Sequence, residues 1–347
     1  MSVRISEAID RISLLGGAPA TARARELGKL YHAARRGAAE PLSAKAARRL
    51  EAVLTPGARV VVLTGAGAPP SLPRGETDGP PGAAVLARSL VLAFGAKPVL
   101  VAEARFREPI VAALDALADG SRANTWRRSI RFATFPSSRD AARSAAATLW
   151  NGIGAVAVIA VERLGPNRRG VIHNARGEDV TAAHAGVEAF FSLARQAGVL
   201  TIGVGDRGNE LGFGSIKPRR SSIAPFDRPC VCPCRSSIAC AIPAEVVVVA
   251  SVSNWGAYAI VASLAVRRGD LQLLHRPADE TRMLAACVSA GARDGISGKD
   301  RPTVDGLSGR IQQTIVMLLR DAVAGGTGSA HNTHSLNVLS EGVGSAH

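Results

Sequence analysis

The feature that most constrains this chain is a recurring unit, a short unbroken run of Val, Ile, Leu and Ala followed by a helical stretch. The runs are "RVVVLTG" (59–65), "KPVLVA" (97–102), "SIRFATF" (129–135), "GAVAVIAV" (154–161), "VLTIGVG" (199–205) and "AEVVVVASV" (244–252). Helical patterns occupy 83–94, 107–118, 139–150, 182–197 and 256–267. A strand with one face in water alternates apolar and polar residues, and most of these runs do not. Continuous apolar strands alternating with helices predict an α/β fold, a mostly parallel sheet with helices on both faces.

The flanks read differently. Residues 1–55 are expected to form an N-terminal helical segment packed on the main domain, with Leu27, Leu30, Tyr31 and Ala34 at helical spacing. Ser43 reads as the cap of a helix over 44–54. Residues 56–323 are expected to form the α/β catalytic domain, helical at its end except for a break at "DGISGKDRPTVDGLSG" (294–309). The last stretch, 324–347, is rich in Gly and Ser without periodicity and is expected to be a disordered tail.

Lys and Arg outnumber Asp and Glu by 42 to 28, a net charge of +14. A basic surface attracts anions, but aromatic residues are only 4% of the chain, which leaves few platforms for stacking bases. Nucleic acid is therefore an unlikely partner, and the arginines read as solvated helix faces. The longest uncharged apolar run, 152–161, is too short to cross a bilayer. Arg4, Glu7 and Asp10 stand where a signal peptide would be apolar. The expectation is a cytoplasmic protein without a membrane partner, with a homo-oligomer among the assemblies open to it. Four of the five cysteines fall in "CVCPCRSSIAC". An odd count without a secretion signal argues against a disulfide framework. Cys230, Cys232, Cys234 and Cys240 are candidates for a soft metal, with a reduced cysteine loop as the alternative.

Polar residues cluster after four of the runs, at the strand ends where open α/β sheets bind ligands. They are Glu76 and Asp78; Glu162 with the loop "HNARGEDVT", which holds Asn174, Arg176, Asp179 and Thr181; Asp206, Asn209 and Glu210; and Ser253 with Asn254. Plainer readings stand beside these. Asp78 and Asn254 suit helix caps, Arg176 and Asp179 suit a surface pair, and His173 and His184 stand isolated.

Taken in order, "LTG…PRGETDGPPGA", "VERLG", "HNARGEDVTA", "TIGVGDRGNELGFG", "IAC", "VSNWGAYA" and "DGISG…PTVDG" resemble the D-glutamate cyclase C-terminal domain family across about residues 27–323. The resemblance implies a lyase converting D-glutamate to 5-oxo-D-proline plus water. Arg207 departs from a family run resembling G-D-G-G-N-E, Ser251 replaces a usual glycine, and the cysteine cluster and the tail have no counterpart. Such a ring closure needs a base for the amine and an acid for the departing oxygen. Carboxylates of unequal pKa can supply both, which makes Glu162, Asp206 and Glu210 the expected catalytic groups. Glu76, Asp78, Asn174, Arg176, Asp179, Thr181, Asn209, Ser253 and Asn254 are the expected substrate contacts. The helix start near Asn254 is expected to hold one substrate carboxylate. No cofactor is certain, and a divalent metal ion is possible on the acidic set. The alternative function is a non-catalytic binding or sensor protein for a small acidic amino acid.

Overall fold

The structure is a computed structural model that describes residues 3–16, 22–119, 125–216 and 228–332. Three helices come first: α1 (Val3–Ser13), α2 (Ala22–Arg35) and α3 (Leu42–Val53). Then strands and helices alternate, as β1 (Arg59–Thr64), α4 (Pro80–Phe94), β2 (Lys97–Glu103), α5 (Arg107–Ala118), β3 (Arg131–Phe135) and α6 (Arg139–Ile153). The second half continues with β4 (Ala157–Val161), α7 (Glu188–Gln196), β5 (Leu200–Gly205), β6 (Val246–Val249), α8 (Ser253–Arg268) and α9 (Pro277–Ser289). A hairpin of β7 (Thr303–Val304) and β8 (Leu307–Ser308) leads into α10 (Gly309–Asn332).

The six long strands form one sheet in the order β3-β2-β1-β4-β5-β6, and every pairing in it is parallel. The order reverses between β1 and β4. Chains leave those two neighbours in opposite directions, so a crevice opens beyond their carboxyl ends. Val60, Val61, Val62 and Leu63 of β1 and all of β4 are fully buried, as their unbroken apolar sequences require. Edge strand β3 is half exposed. Helix α4 packs on α8 and α5, α5 on α9, and α6 on α7.

Helices α1 and α3 pack on α8, and α2 and α3 on β6. Asp10 of α1 holds them together. Its carboxylate accepts from the backbone N–H of Leu42 (2.7 Å) and Ser43 (3.2 Å), from the Ser43 hydroxyl, and from Tyr31 Oη (2.7 Å). The cap of α3 is thus a carboxylate from another helix, and the helix starts at Leu42 instead of after Ser43. Two other boundaries differ from expectation. The helix expected over 182–197 begins only at Glu188, because Ala185 N–H donates to Glu103 Oε1 (2.5 Å) and pins the chain in an extended turn. Helix α10 runs past Val323 to Asn332, so the expected tail is helical at its start. Residues 333–347 of that tail lie outside the described residues. No helix among the described residues is long and apolar enough to cross a membrane.

Candidate active site

A cleft of about 900 Å³ lies at the switch point of the sheet. Its walls come from the loops that follow β1, β2, β4 and β5, together with the hairpin between β7 and β8. Glu76, Glu162, Asn174, Arg176, Asp179, Asp206 and Asn209, all expected from sequence, line it. So do Arg105, His184, Arg207 and Asp305, which were not expected there. Asp305 sits with Gly306 in the two-residue turn of the hairpin, both at positive φ (53° and 77°). A D-G pair between Val304 and Leu307 is the ordinary signature of such a turn, and it was legible as one.

Two loops are zipped together beyond the sheet. Gly165 N–H donates to Asn209 O (2.9 Å) and Leu211 N–H to Arg163 O (2.8 Å), which places the end of β4 beside the end of β5. Glu162, Asp206 and Glu210 then each bring a carboxylate oxygen within 4.8 Å of the others. Their roles differ. Glu210 Oε1 accepts from the N–H groups of Asp206 (3.0 Å) and Arg207 (2.9 Å), and Oε2 from Gly208 (2.7 Å). It is the internal anion around which the "GDRGNE" loop folds. Gly205 is required there, since a Cβ would lie 2.5 Å from the Glu210 carboxyl carbon. Glu210 is fully buried and does not line the cleft, so the geometry gives it a holding role and not the proton-transfer role expected.

Glu162 and Asp206 do face the cleft, only 6% and 7% exposed. Burial, then the charges of Asp206 and Glu210, push the Glu162 carboxyl well above the usual range. Burial pushes Asp206 well up too; the Arg207 guanidinium opposes this and Asp305 adds to it. Half-buried Glu76 is also raised, by burial first and then by Asp305 and Asp78. Glu162 has φ 43°, a left-handed conformation that costs a non-glycine residue about 1–2 kcal/mol. Ser253 Oγ donates to its Oε2 at 2.5 Å and holds it in place.

Asp78 and Asn254 are committed elsewhere. Asp78 accepts from the backbone N–H of Ser253 (2.8 Å) and Asn254 (2.8 Å), closing the N-terminus of α8. Asn254 Oδ1 in turn accepts from Gly79 (2.9 Å) and Gly82 (2.7 Å), closing the N-terminus of α4. Each helix is capped by the residue that opens the other. Gly79 (φ 103°) allows the approach, because a Cβ there would meet Thr64 Oγ1 at 2.7 Å and Glu162 Cβ at 3.0 Å. The expected substrate contacts Asp78 and Asn254 are therefore cap residues and Ser253 a support for Glu162, all three outside the cleft lining, and the helix start near Asn254 is already filled by Asp78. Thr181 likewise spends its Oγ1 on Ile172 N–H (2.9 Å) and is not in the lining.

The remaining wall is the loop 173–184. Asn174 Oδ1 accepts from Arg176 and Glu178 N–H, and Arg176 lies 3.3 Å from Glu178 in an exposed pair, not paired to Asp179. Behind the wall, Arg163 and Glu103 form a fully buried two-pronged ion pair, both contacts 2.7 Å. His184 is fully buried. Its Nδ1 donates to Val180 O (3.0 Å), which leaves Nε2 a bare acceptor without a partner. Burial, then the Arg163 charge, lower its pKa to about 4, so the ring is neutral at physiological pH. Asn209 Oδ1 is a second buried acceptor without a partner, while its Nδ2 donates to His173 O (2.8 Å). Buried acceptors of this kind suit a ligand that brings N–H donors.

Glu162, Asp206 and Glu210 offer the all-oxygen set that a hard divalent ion requires. The fit is partial. Glu210 already accepts from three backbone amides, and Arg207 lies 3.4 Å from Asp206 and 2.9 Å from Asp305, supplying fixed positive charge in the same place. A separate cluster joins Cys230, Cys232 and Cys234 to His173. Cys240, expected as the fourth ligand, is instead buried against Gly165, its N–H bonded to Gly208 O (2.9 Å).

Comparison with known proteins identifies a family. Mitochondrial D-glutamate cyclase of Homo sapiens is 32% identical over 174 residues, covering 43% of this chain and 27% of that protein. The chain thus matches about a quarter of that relative's length. Among solved structures, the terminal R domain of a myxalamid PKS-NRPS pathway shares 17% identity over 64% of this chain and 50% of that one, with a TM-score of 0.25, too low to bear on fold or function. The family described as "D-glutamate cyclase-like, C-terminal" matches residues 22–320, nearly all of the described structure, and the chain belongs to that family.

Proposed function

We propose that the protein is a lyase that closes D-glutamate to 5-oxo-D-proline with release of water. Family membership and the partial likeness to an enzyme named D-glutamate cyclase support the substrate. The observation that carries the chemistry is the pair Glu162 and Asp206, buried side by side at the cleft with carboxyls held toward the protonated form.

The reaction is proton-neutral. The substrate ammonium loses two protons as the amine nitrogen bonds to the γ-carboxyl carbon, and the departing γ-oxygen gains two as it leaves as water. Two neighbouring carboxyls that share protons can take each proton from nitrogen and return it to oxygen, ending as they began. A protonated member also donates to the γ-carboxylate, lowering the repulsion that makes a carboxylate a poor electrophile. The bare acceptors His184 Nε2 and Asn209 Oδ1 suit the amine N–H groups. Arg176 and Arg105, both on the cleft lining, suit the α-carboxylate, a role in which a planar guanidinium matches both oxygens. Because the reaction is intramolecular, most of the remaining gain comes from holding the folded substrate in place.

The test is direct. Purified protein incubated with each glutamate enantiomer should yield 5-oxoproline from the D form, with and without chelator compared. Glu162→Gln and Asp206→Asn should each lower kcat by about 10²–10⁴-fold while the circular dichroism spectrum is kept. Thermal stabilisation by D-glutamate with no product would replace the lyase with a binding protein. Full turnover by both variants would remove these residues from the mechanism.

A further inference from the structure

We propose that His173, Cys230, Cys232 and Cys234 form a structural zinc site that rivets one wall of the cleft to a neighbouring strap. The sulfur of Cys230 lies 3.4 Å from those of Cys232 and Cys234, and His173 Nε2 lies 3.3 Å from Cys232 and 3.7 Å from Cys234. Zinc bound tetrahedrally, with Zn–S about 2.3 Å and Zn–N about 2.0–2.1 Å, separates sulfurs by about 3.8 Å and sulfur from nitrogen by about 3.5 Å. These four contacts differ from those edges by less than about half an ångström and the other two edges stay within 4.8 Å, so one ion fits between these atoms after small shifts. Three soft thiolates and one imidazole are a zinc donor set, and four protein ligands leave no open position, which marks a structural and not a catalytic ion.

The local backbone is built for this convergence. The strap folds back on itself, with Cys230 N–H bonded to Ser236 O (2.8 Å), Arg235 N–H to Cys232 O (3.2 Å), and Arg235 at φ 46°. An extended C-x-C-x-C segment would place the three sulfurs on one face but about 6–7 Å apart along it, and the turn draws them together. Asn167 Nδ2 donates to Cys234 Sγ at 3.6 Å, the kind of outer hydrogen bond that tunes a metal-bound thiolate. Cys230, Cys232 and Cys234 are half-buried and free, and His173 is fully buried. Its Nδ1 has no partner, so packing and the Nε2 contacts to the two sulfurs orient the ring.

The location gives the ion a purpose. His173 opens the loop whose residues Asn174, Ala175, Arg176 and Glu178 line the cleft, and its carbonyl receives the Asn209 amide. Val231 N–H bonds to Gly177 O (3.1 Å), so strap and wall already touch. Zinc would turn that contact into a cross-link between segments about sixty residues apart in sequence, closing a long loop.

The experiment uses the full chain, purified reduced and depleted of metal by chelation, then exposed to zinc or cobalt(II). About one zinc per chain should survive gel filtration, and the cobalt form should show thiolate-to-cobalt charge transfer and the visible bands of a tetrahedral site. Cys230→Ser, Cys232→Ser, Cys234→Ser and His173→Asn should each weaken binding more than about tenfold. Cys240→Ser and Cys287→Ala should bind as the wild type does, and zinc should raise the unfolding midpoint of the wild type but not of Cys234→Ser. These readouts do not involve turnover, so they stand apart from the proposed reaction. A reduced wild type that retains no stoichiometric zinc overturns the site. So does a Cys234→Ser variant that keeps the metal, or a Cys240→Ser variant that loses it.

Discussion

His184→Asn should change how stability depends on pH by an amount that follows from the burial of the ring and the neighbouring Arg163 charge. In the wild type the ring is fully buried and neutral, its pKa lowered from 6.5 to about 4 by burial and then by Arg163. An unfolded chain has a histidine near 6.5, so between those values the unfolded state binds a proton that the native state refuses. The native state is therefore at full advantage above pH 6.5 and loses it as pH falls toward 4. The whole shift corresponds to about 3 kcal/mol, of which about 2 kcal/mol is lost between pH 8 and pH 5. Asparagine can keep the bond to Val180 O through its amide N–H but does not titrate. Any penalty from its smaller volume is independent of pH. The raised carboxyls Glu76, Glu162 and Asp206 act with the opposite sign, binding protons in the native state, but they are common to both proteins and cancel in the difference. Reversible urea unfolding at both pH values gives the four free energies required. The variant should lose about 2 kcal/mol less than the wild type on going from pH 8 to pH 5. Equal losses would mean that His184 is not held neutral, and that Nε2 is not the bare acceptor assigned to the cleft.

Two further outcomes follow from the same geometry. Asn254→Ala should cost about 2–4 kcal/mol in urea unfolding, because it leaves the buried N–H of Gly82 without its acceptor, that of Gly79 with Asp78 alone, and Thr77 O without the Asn254 amide; a cost below about 1 kcal/mol would refute the mutual cap. Arg207→Gln should raise the Asp206 carboxyl further, since the guanidinium is the group that holds it down, and so move the acid limb of the kcat/KM profile to higher pH; an unmoved or lower limb would separate Arg207 from the titrating set.

The sheet was legible because its signal is strong and local. Runs such as Val60–Leu63 and Ala157–Val161 are apolar at every position, and only burial on both faces explains that. Even the edge strand betrays itself, in the polar positions of "RFATF". The rim was legible too, since polar residues after four strands fell on one edge. Their individual duties were not. Glu210 and Asp206 are four residues apart in one glycine-rich loop, and nothing in that spacing says which carboxylate turns inward to hold the backbone and which faces the cleft. Asp78 and Asn254 both read as caps, but of their own helices; that each caps the other depends on α4 and α8 starting side by side, a long-range fact. His184 and His173 looked alike as isolated histidines. One proves to be a neutral wall residue beside a buried ion pair, and the other meets sulfurs about sixty residues away.

The mutual capping also decides what kind of ligand the crevice can take. In this strand order the helix after β1 ordinarily presents free N–H groups to a phosphate, and that positive end makes the switch point a nucleotide site. Here Gly82 gives its N–H to Asn254, Gly79 shares its own between Asn254 and Asp78, and Ser253 and Asn254 give theirs to Asp78. A pyrophosphate would have to displace both side chains from fully bonded, buried positions. With the helix ends closed, the polarity of the cleft comes from side chains: carboxyls on the floor at Glu76, Glu162 and Asp206, and arginines toward the rim at Arg105 and Arg176. That arrangement is the reverse of a phosphate cradle. In the proposed reaction the carboxyls are the proton carriers and the arginines face the substrate carboxylate, with a strained Glu162 held in place by Ser253. On the proposed function, the same fold exchanges an anion-binding helix end for acid–base chemistry on a small amino acid, and the exchange rests on two cap residues that need not touch the substrate.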